Sequence, residues 1–119
     1  MKKKFILFAL FALLAGAFCS CNKNGNANYP ILYVVNGTDY SANVYCDILL
    51  VATAGAHNNS GKVVLNNTSV NLPVYVEVEF FNSKGSKVGA IYWDNYYFKW
   101  DTSYKMTLTS SSTGTLAKF

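Results

Sequence analysis

Residues 74–81 read Val-Tyr-Val-Glu-Val-Glu-Phe-Phe, and this stretch decides the fold class. Alternate positions are apolar throughout: Val74, Val76, Val78 and Phe80. The positions between them are aromatic or acidic: Tyr75, Glu77, Glu79 and Phe81. Because successive side chains of a strand point to opposite faces, this alternation predicts a β-strand with one face in a core and the other in solvent. That arrangement is typical of an antiparallel sheet.

Further short runs with strand-like composition lie on both sides of this segment, separated by turns rich in Asn, Gly, Ser and Asp. The runs are residues 31–35, 43–53, 62–65, 87–93, 96–100 and 104–109. The turn signals include Asn36-Gly37 and Asp94-Asn95. About seven short strands at regular spacing predict an all-β fold, an antiparallel β-sandwich of immunoglobulin-like size, with a small barrel as the alternative.

Residues 43–53 are predicted to form one strand with an uncharged inner face. The inner side chains would be Val44, Cys46, Ile48 and Leu50. A helix beginning at residue 47 is the alternative, but Val, Thr and the nearby Gly55 favour a strand. We therefore expect Cys46 to be a packed thiol in the core.

The N-terminus has the layout of a secretory signal peptide. Residues 2–4 are all lysine, and an apolar run over residues 5–18 ends just before Ser20-Cys21. As a helix this run would rise about 21 Å, short of the hydrocarbon core of a bilayer at about 30 Å. We therefore expect a helical leader and no stable transmembrane anchor in this segment.

Residues 17–21, Ala-Phe-Cys-Ser-Cys, resemble the lipobox of bacterial lipoproteins, in the looser form common in Bacteroidetes. In that family a small residue precedes a cysteine that is diacylated and becomes the mature N-terminus. Ser20 is small whereas Phe18 is bulky, so the resemblance implies that Cys21 carries the lipid, with fatty-acid chains such as palmitate. The alternative is cleavage further on, at Ala27, which would remove Cys21 with the leader.

The lipobox resemblance and the strand pattern together predict three parts: a signal peptide over residues 1–20, a flexible tether over residues 21–28 and a β-sandwich domain over residues 29–119. The tether is rich in Asn and has nothing to bury. Several acyl chains on one cysteine would hold the domain stably on a membrane. Residues 22–28 lack the acidic cluster that resembles a surface-export signal, which favours the periplasmic side of the outer membrane. The strand pattern itself resembles Ig-like lipoprotein domains of cell envelopes.

The net charge of +4 comes mainly from the leader. Without residues 1–20, seven lysines face six acidic residues, and the chain contains no arginine. A nearly neutral domain with scattered lysines argues against nucleic acid as a partner.

Catalytic and metal-ligating groups are scarce. His57 is the only histidine and lies in a predicted loop, so a nucleophilic dyad with Cys46 has no supporting motif. One histidine and one available thiol do not make a metal site, and no cofactor motif is present. Glu77 and Glu79 have a spacing compatible with paired carboxylates, but we interpret them as the solvated face of a strand. The sequence predicts a protein that is not an enzyme.

Residues 92–100 contain six aromatic side chains in nine positions. Strict alternation would place Tyr92, Tyr96, Phe98 and Trp100 on one face and Trp93, Tyr97 and Lys99 on the other. One face would supply core, and the other could bind a glycan or an envelope protein, because rings bury much area at small entropic cost. The predicted contact residues are Tyr92, Trp93, Tyr96, Tyr97 and Trp100. The alternative is that these rings only fill the core and cover sheet edges.

These features predict a membrane-anchored envelope lipoprotein that acts as a non-catalytic binding or accessory module. Two alternatives stay open at this point. One is a structural subunit of an outer-membrane complex, and the other is an inhibitor of an enzyme that attacks the envelope.

Overall fold

The computed structural model describes residues 27–119, which form eight β-strands in two sheets. The predicted leader and Cys21 lie outside this range. The strands are β1 (Ile31–Asn36), β2 (Ser41–Cys46), β3 (Leu49–Ala54), β4 (Asn59–Val64), β5 (Pro73–Phe81), β6 (Lys87–Tyr97), β7 (Ser103–Ser110) and β8 (Thr113–Lys118). In the described range, no helix has the length and apolarity needed to span a bilayer.

Each sheet has four strands, in the order β4-β1-β7-β8 for sheet A and β3-β2-β5-β6 for sheet B. All neighbouring strands are antiparallel except β1 and β7, which run parallel from Ile31 opposite Ser103 to Asn36 opposite Leu108. The all-β sandwich prediction is confirmed. The sequence predicted antiparallel neighbours, so the parallel pairing of β1 with β7 is a departure from that expectation. The five strands β2 to β6 lie between these two in sequence, and the chain then returns to sheet A in the direction of β1.

The core lies between the two sheets and is built from alternate side chains of each strand. The four predicted inner residues of β5 are fully buried: Val74, Val76, Val78 and Phe80. They pack in one cluster with side chains of sheet A, including Leu32, Met106 and Leu108. Removing one such side chain from water contributes about 1.5–3 kcal/mol. The alternation in residues 74–81 therefore identifies the inner face correctly.

The predicted strand over residues 43–53 is wrong in its continuity. Val44 and Cys46 are buried as expected, but the chain reverses at Asp47 and Ile48, which have φ angles of 49° and 69°. This two-residue turn makes β2 and β3 a hairpin. Positive φ at both turn positions is the geometry whose twist matches paired strands. As a result Ile48 is 94% exposed and Leu50 is half exposed, instead of facing the core.

The predicted turn at Asp94-Asn95 is also wrong, because β6 runs through it as a single strand of 11 residues. The pairing register with β5 shifts between Val74 and Val76, and Asn95 has a φ of 52°. This irregularity is a bulge, and it changes which side chains face outward. Residues 96–100 are therefore not a separate strand, and β8, which completes sheet A, was not predicted.

Asn36, at the end of β1, ties the two sheets together. Its side-chain NH2 group donates to the carbonyl oxygens of Tyr40, Ala54 and Gly55 at 2.8, 3.1 and 3.0 Å. Its Oδ1 accepts from the backbone N–H and the hydroxyl of Thr38 at 3.0 and 2.7 Å. Because Asn36 is only 2% exposed, this amide satisfies polar groups where β1 passes from sheet A towards sheet B.

Candidate functional site

A group of tyrosines lies on the outer face of sheet B, and strand pairing places it there. Glu77 of β5 lies opposite Tyr45 of β2 on one side and opposite Tyr92 of β6 on the other. Tyr75 precedes Glu77 by two residues and shares its face. Directly paired residues have Cβ atoms about 4.5–5.5 Å apart. We call Tyr45, Tyr75, Glu77 and Tyr92 the tyrosine platform.

The two most exposed rings of the platform lie side by side. Tyr75 is 37% exposed and Tyr92 is 54% exposed, and their ring centroids are 5.7 Å apart with an interplanar angle of 33°. Partial desolvation, followed by the nearby charge of Glu77, raises the pKa of the Tyr75 phenol. The platform presents ring faces and phenol hydroxyls beside the carboxyl group of Glu77.

The β2–β3 turn holds the backbone of Tyr75 in place. The Asp47 N–H donates to the Tyr75 carbonyl at 2.9 Å, and the Tyr75 N–H donates to Asp47 Oδ1 at 2.9 Å. These two hydrogen bonds connect the start of β5 with the β2–β3 hairpin. They therefore fix the backbone position of Tyr75 in the tyrosine platform.

The structure divides the five predicted contact residues. Tyr92 and Tyr97 are exposed, at 54% and 49%. Trp93 and Tyr96 are partly buried and pack against the core. The Tyr96 hydroxyl donates to the Leu116 carbonyl at 3.3 Å, which connects the end of sheet B with sheet A. Burial raises the pKa of this hydroxyl as well.

Trp100, the fifth predicted residue, lies apart from the others. It follows β6 in the segment leading to β7, and its ring centroid is 5.1 Å from that of Tyr29. The bulge at residues 94–95 explains the division, because it shifts the phase of alternation. Tyr92 and Tyr97 therefore face outward although they lie five positions apart.

Sequence reasoning did not select Tyr75 and Tyr45 as site residues. The signal was present for both, since alternation placed Tyr75 on the solvated face of β5 and Tyr45 opposite the inner face of β2. What the sequence could not show is the lateral pairing that brings Tyr75 beside Tyr92 and places Glu77 between Tyr45 and Tyr92.

The structure does not bring His57 and Cys46 together in the described part of the chain. His57 Nε2 lies 2.5 Å from Asp39 Oδ1 on the exposed surface. Cys46 pairs with Leu49 at the opposite end of β3, so it cannot act with His57. Burial raises the pKa of the Cys46 thiol to about 12, which keeps it protonated and unreactive.

The paired carboxylates behave as a solvated strand face. Glu77 lies in the tyrosine platform, and Glu79 Oε2 accepts from Lys87 Nζ at 3.1 Å. Among residues 27–119, no group of three or more His, Cys, Asp or Glu side chains is placed to hold a metal ion.

No family model, curated protein or solved structure matches this chain. A function must therefore be argued from the chemistry of the surface itself.

Proposed function

We propose that this protein is a lipid-anchored protein of the bacterial cell envelope, and that its β-sandwich is a non-catalytic glycan-binding module. Acylation of Cys21 would attach the domain to the outer membrane on its periplasmic side, with residues 21–28 as the tether. The lipobox-like segment at residues 17–21 supports the anchoring part of this proposal.

The observation that supports a glycan ligand is the exposed pair of Tyr75 and Tyr92 beside Glu77. The apolar C–H faces of a sugar ring stack on aromatic rings, and sugar hydroxyls donate to a carboxylate, which accepts only. The platform offers both kinds of contact on one sheet face. A protein ligand would contact the same rings, and a glycan array together with capture of envelope proteins distinguishes a glycan ligand from a protein ligand.

A glycan array, extended with peptidoglycan fragments and lipopolysaccharide cores, tests the ligand. We expect binding by the purified protein that falls about tenfold or more in a Tyr75→Ala/Tyr92→Ala variant, because that variant loses the contact area of both rings. The matched control is Tyr33→Ala/Phe119→Ala, which removes a ring pair 5.5 Å apart on the outer face of sheet A.

Three results would count against this proposal. Equal loss in both variants would show a general effect of removing aromatic side chains. Absence of glycan binding, together with capture of an envelope protein that depends on Tyr92, would assign the platform to a protein partner. Absence of both would remove the platform as a binding site.

Metabolic labelling with a fatty-acid analogue tests the anchor. We expect label on the native protein and none on Cys21→Ala, which should fractionate as a soluble protein. Protease treatment of intact cells tests the orientation, since a domain on the periplasmic side is degraded only after lysis.

A further inference from the structure

The chain enters the sandwich at the same end as the β2–β3 turn. The Leu65 N–H donates to the Pro30 carbonyl at 2.9 Å, so the start of the domain adjoins the end of β4. Leu65 in turn lines a groove together with Leu49 and Leu50, which follow the turn. The first described residues and the hairpin tip thus lie at the same end of the sandwich, although they are about 20 residues apart in sequence.

This end also carries several exposed apolar side chains. Ile48 is 94% exposed, Leu72 is 59% exposed and Leu49 is 44% exposed. Leu72 belongs here because it precedes β5, whose Tyr75 bonds to Asp47 of the turn. We call Ile48, Leu49 and Leu72 the tether-side tip. Neighbouring exposed apolar residues on one end of a small domain mark an interaction surface.

The conformation of Ile48 supports this interpretation. A β-branched residue at a φ of 69° is a true backbone outlier, and glycine is the residue usually found at the second position of such a turn. The hydrogen bonds between Asp47 and Tyr75 hold the turn, and the Ile48 side chain itself is almost entirely exposed. A strained backbone position persists only where its surroundings hold it in place, and such positions cluster at functional sites.

The length of chain before the domain identifies what lies opposite the tip. From Cys21 to Ala27 there are six residue steps, which span about 20 Å at most when fully extended. An acyl group on Cys21 therefore keeps Ala27, at this end of the sandwich, within about 20 Å of the lipid surface. The partner most concentrated around the tip is then the membrane itself.

The charged side chains at this end do not favour electrostatic attraction to anionic lipid headgroups. Among the described residues, the acidic side chains at this end are those of Asp47, Asp94 and Asp101, and the basic side chains are those of Lys62, Lys99 and Lys118. There is no basic excess to attract anionic headgroups, so contact would depend on apolar insertion and would change little with salt.

We infer that the tether-side tip is a second, non-covalent membrane contact, in which Ile48 and its neighbours insert into the lipid interface and orient the sandwich. This inference rests on the proposed acylation of Cys21. It adds a defined orientation of the domain, with the β2–β3 turn towards the lipid and the β5–β6 loop at residues 82–86 away from it.

The test uses the full-length protein, isolated with its lipid and reconstituted in vesicles of phosphatidylethanolamine and phosphatidylglycerol. An environment-sensitive fluorophore is attached to Ile48→Cys or, as the control at the opposite end, to Lys84→Cys. Both positions are exposed, whereas the buried Cys46 thiol does not react. We expect a blue shift and several-fold weaker iodide quenching at position 48 only, in low and high salt alike.

A second variant tests the contribution of Ile48 itself. With the fluorophore on Leu72→Cys, replacing Ile48 by Gly should restore quenching several-fold, while the glycine suits the turn and leaves the fold intact. A Lys84→Gln change, in the β5–β6 loop at the opposite end, should leave the signal at position 72 unaltered.

Each of the following outcomes overturns the inferred membrane contact of the tether-side tip. An acylated protein with equal quenching at positions 48 and 84 overturns this inference but leaves the lipid anchor standing. Protection at position 48 that is already present before vesicles are added indicates self-association and also overturns it. Protection at both positions does the same, because it shows no defined orientation. Absence of acyl label on Cys21 overturns the anchor and this inference together.

Discussion

Replacing Asn36 by Ala should destabilise the sandwich more than replacing Asn82 by Ala. Asn36 makes five side-chain hydrogen bonds, and three of them are buried: the bond to the Ala54 carbonyl and the two from Thr38. A buried bond contributes about 1 kcal/mol net, so we expect a loss of about 3 kcal/mol. The two partly buried bonds add little, because water can replace them.

The matched control is Asn82→Ala. Asn82 also caps a turn, since its Oδ1 accepts from the backbone N–H groups of Lys84 and Ser86 at 3.0 Å, but both bonds are exposed. We expect this variant to lose less than about 1 kcal/mol. Asn36→Asp should cost more than Asn36→Ala, because a carboxylate keeps the bonds from Thr38 but turns negative charge towards three carbonyl oxygens.

Urea unfolding followed by tryptophan fluorescence measures these differences. With a slope of about 1 kcal/mol per molar urea for a domain of this size, Asn36→Ala should lower the midpoint by about 2–3 M with little change in slope. In thermal unfolding the same loss corresponds to a decrease of roughly 15 °C in Tm. If Asn36→Ala and Asn82→Ala proved equally stable, the role of Asn36 in joining the two sheets would be refuted.

Three further predictions concern Cys46, Gly89 and Ile48, with Gly55 as the control for Gly89. Cys46 should resist alkylation from pH 6 to 9 and react only in urea, since burial holds its pKa near 12 in the fold; equal rates in both conditions would contradict this. Gly89→Ala should cost about 1–3 kcal/mol because its new Cβ would lie 2.4 Å from the Ser111 carbonyl oxygen. Gly55→Ala, whose nearest neighbour is 3.6 Å away, should change urea stability by less than about 0.5 kcal/mol. Ile48→Gly should stabilise the domain by about 1 kcal/mol in the same assay, and a loss instead would show that the turn is not strained.

The strained turn and the exposed tip together suggest a trade between stability and function. Ile48 is unfavourable for the turn, yet it is the most exposed apolar side chain of the tip. A variant that gains stability and loses lipid contact would separate the two roles within one residue. Such trade-offs are typical of residues kept for binding.

Alternation alone predicted the β-sandwich and its inner face. Val74, Val76, Val78 and Phe80 were assigned to the core from a period of two, and all four are fully buried. The same pattern placed Tyr75 and Glu77 in solvent, where two members of the tyrosine platform lie. These predictions succeeded because the period of a strand depends only on local backbone geometry.

Only the tertiary structure decided where alternation is interrupted and which faces meet. The turn at Asp47-Ile48 contradicts local preference, since Ile disfavours positive φ, and it is held by bonds to Tyr75 of another strand. The bulge at residues 94–95 likewise depends on pairing with β5, and it places Tyr96 on the packed face with Trp93 and Tyr97 on the exposed face with Tyr92. One residue inserted in a strand reverses every later side chain, so a sequence read strand by strand cannot assign those faces. The sequence thus determined the class of fold and the chemistry available, whereas long-range pairing determined which residues share a surface.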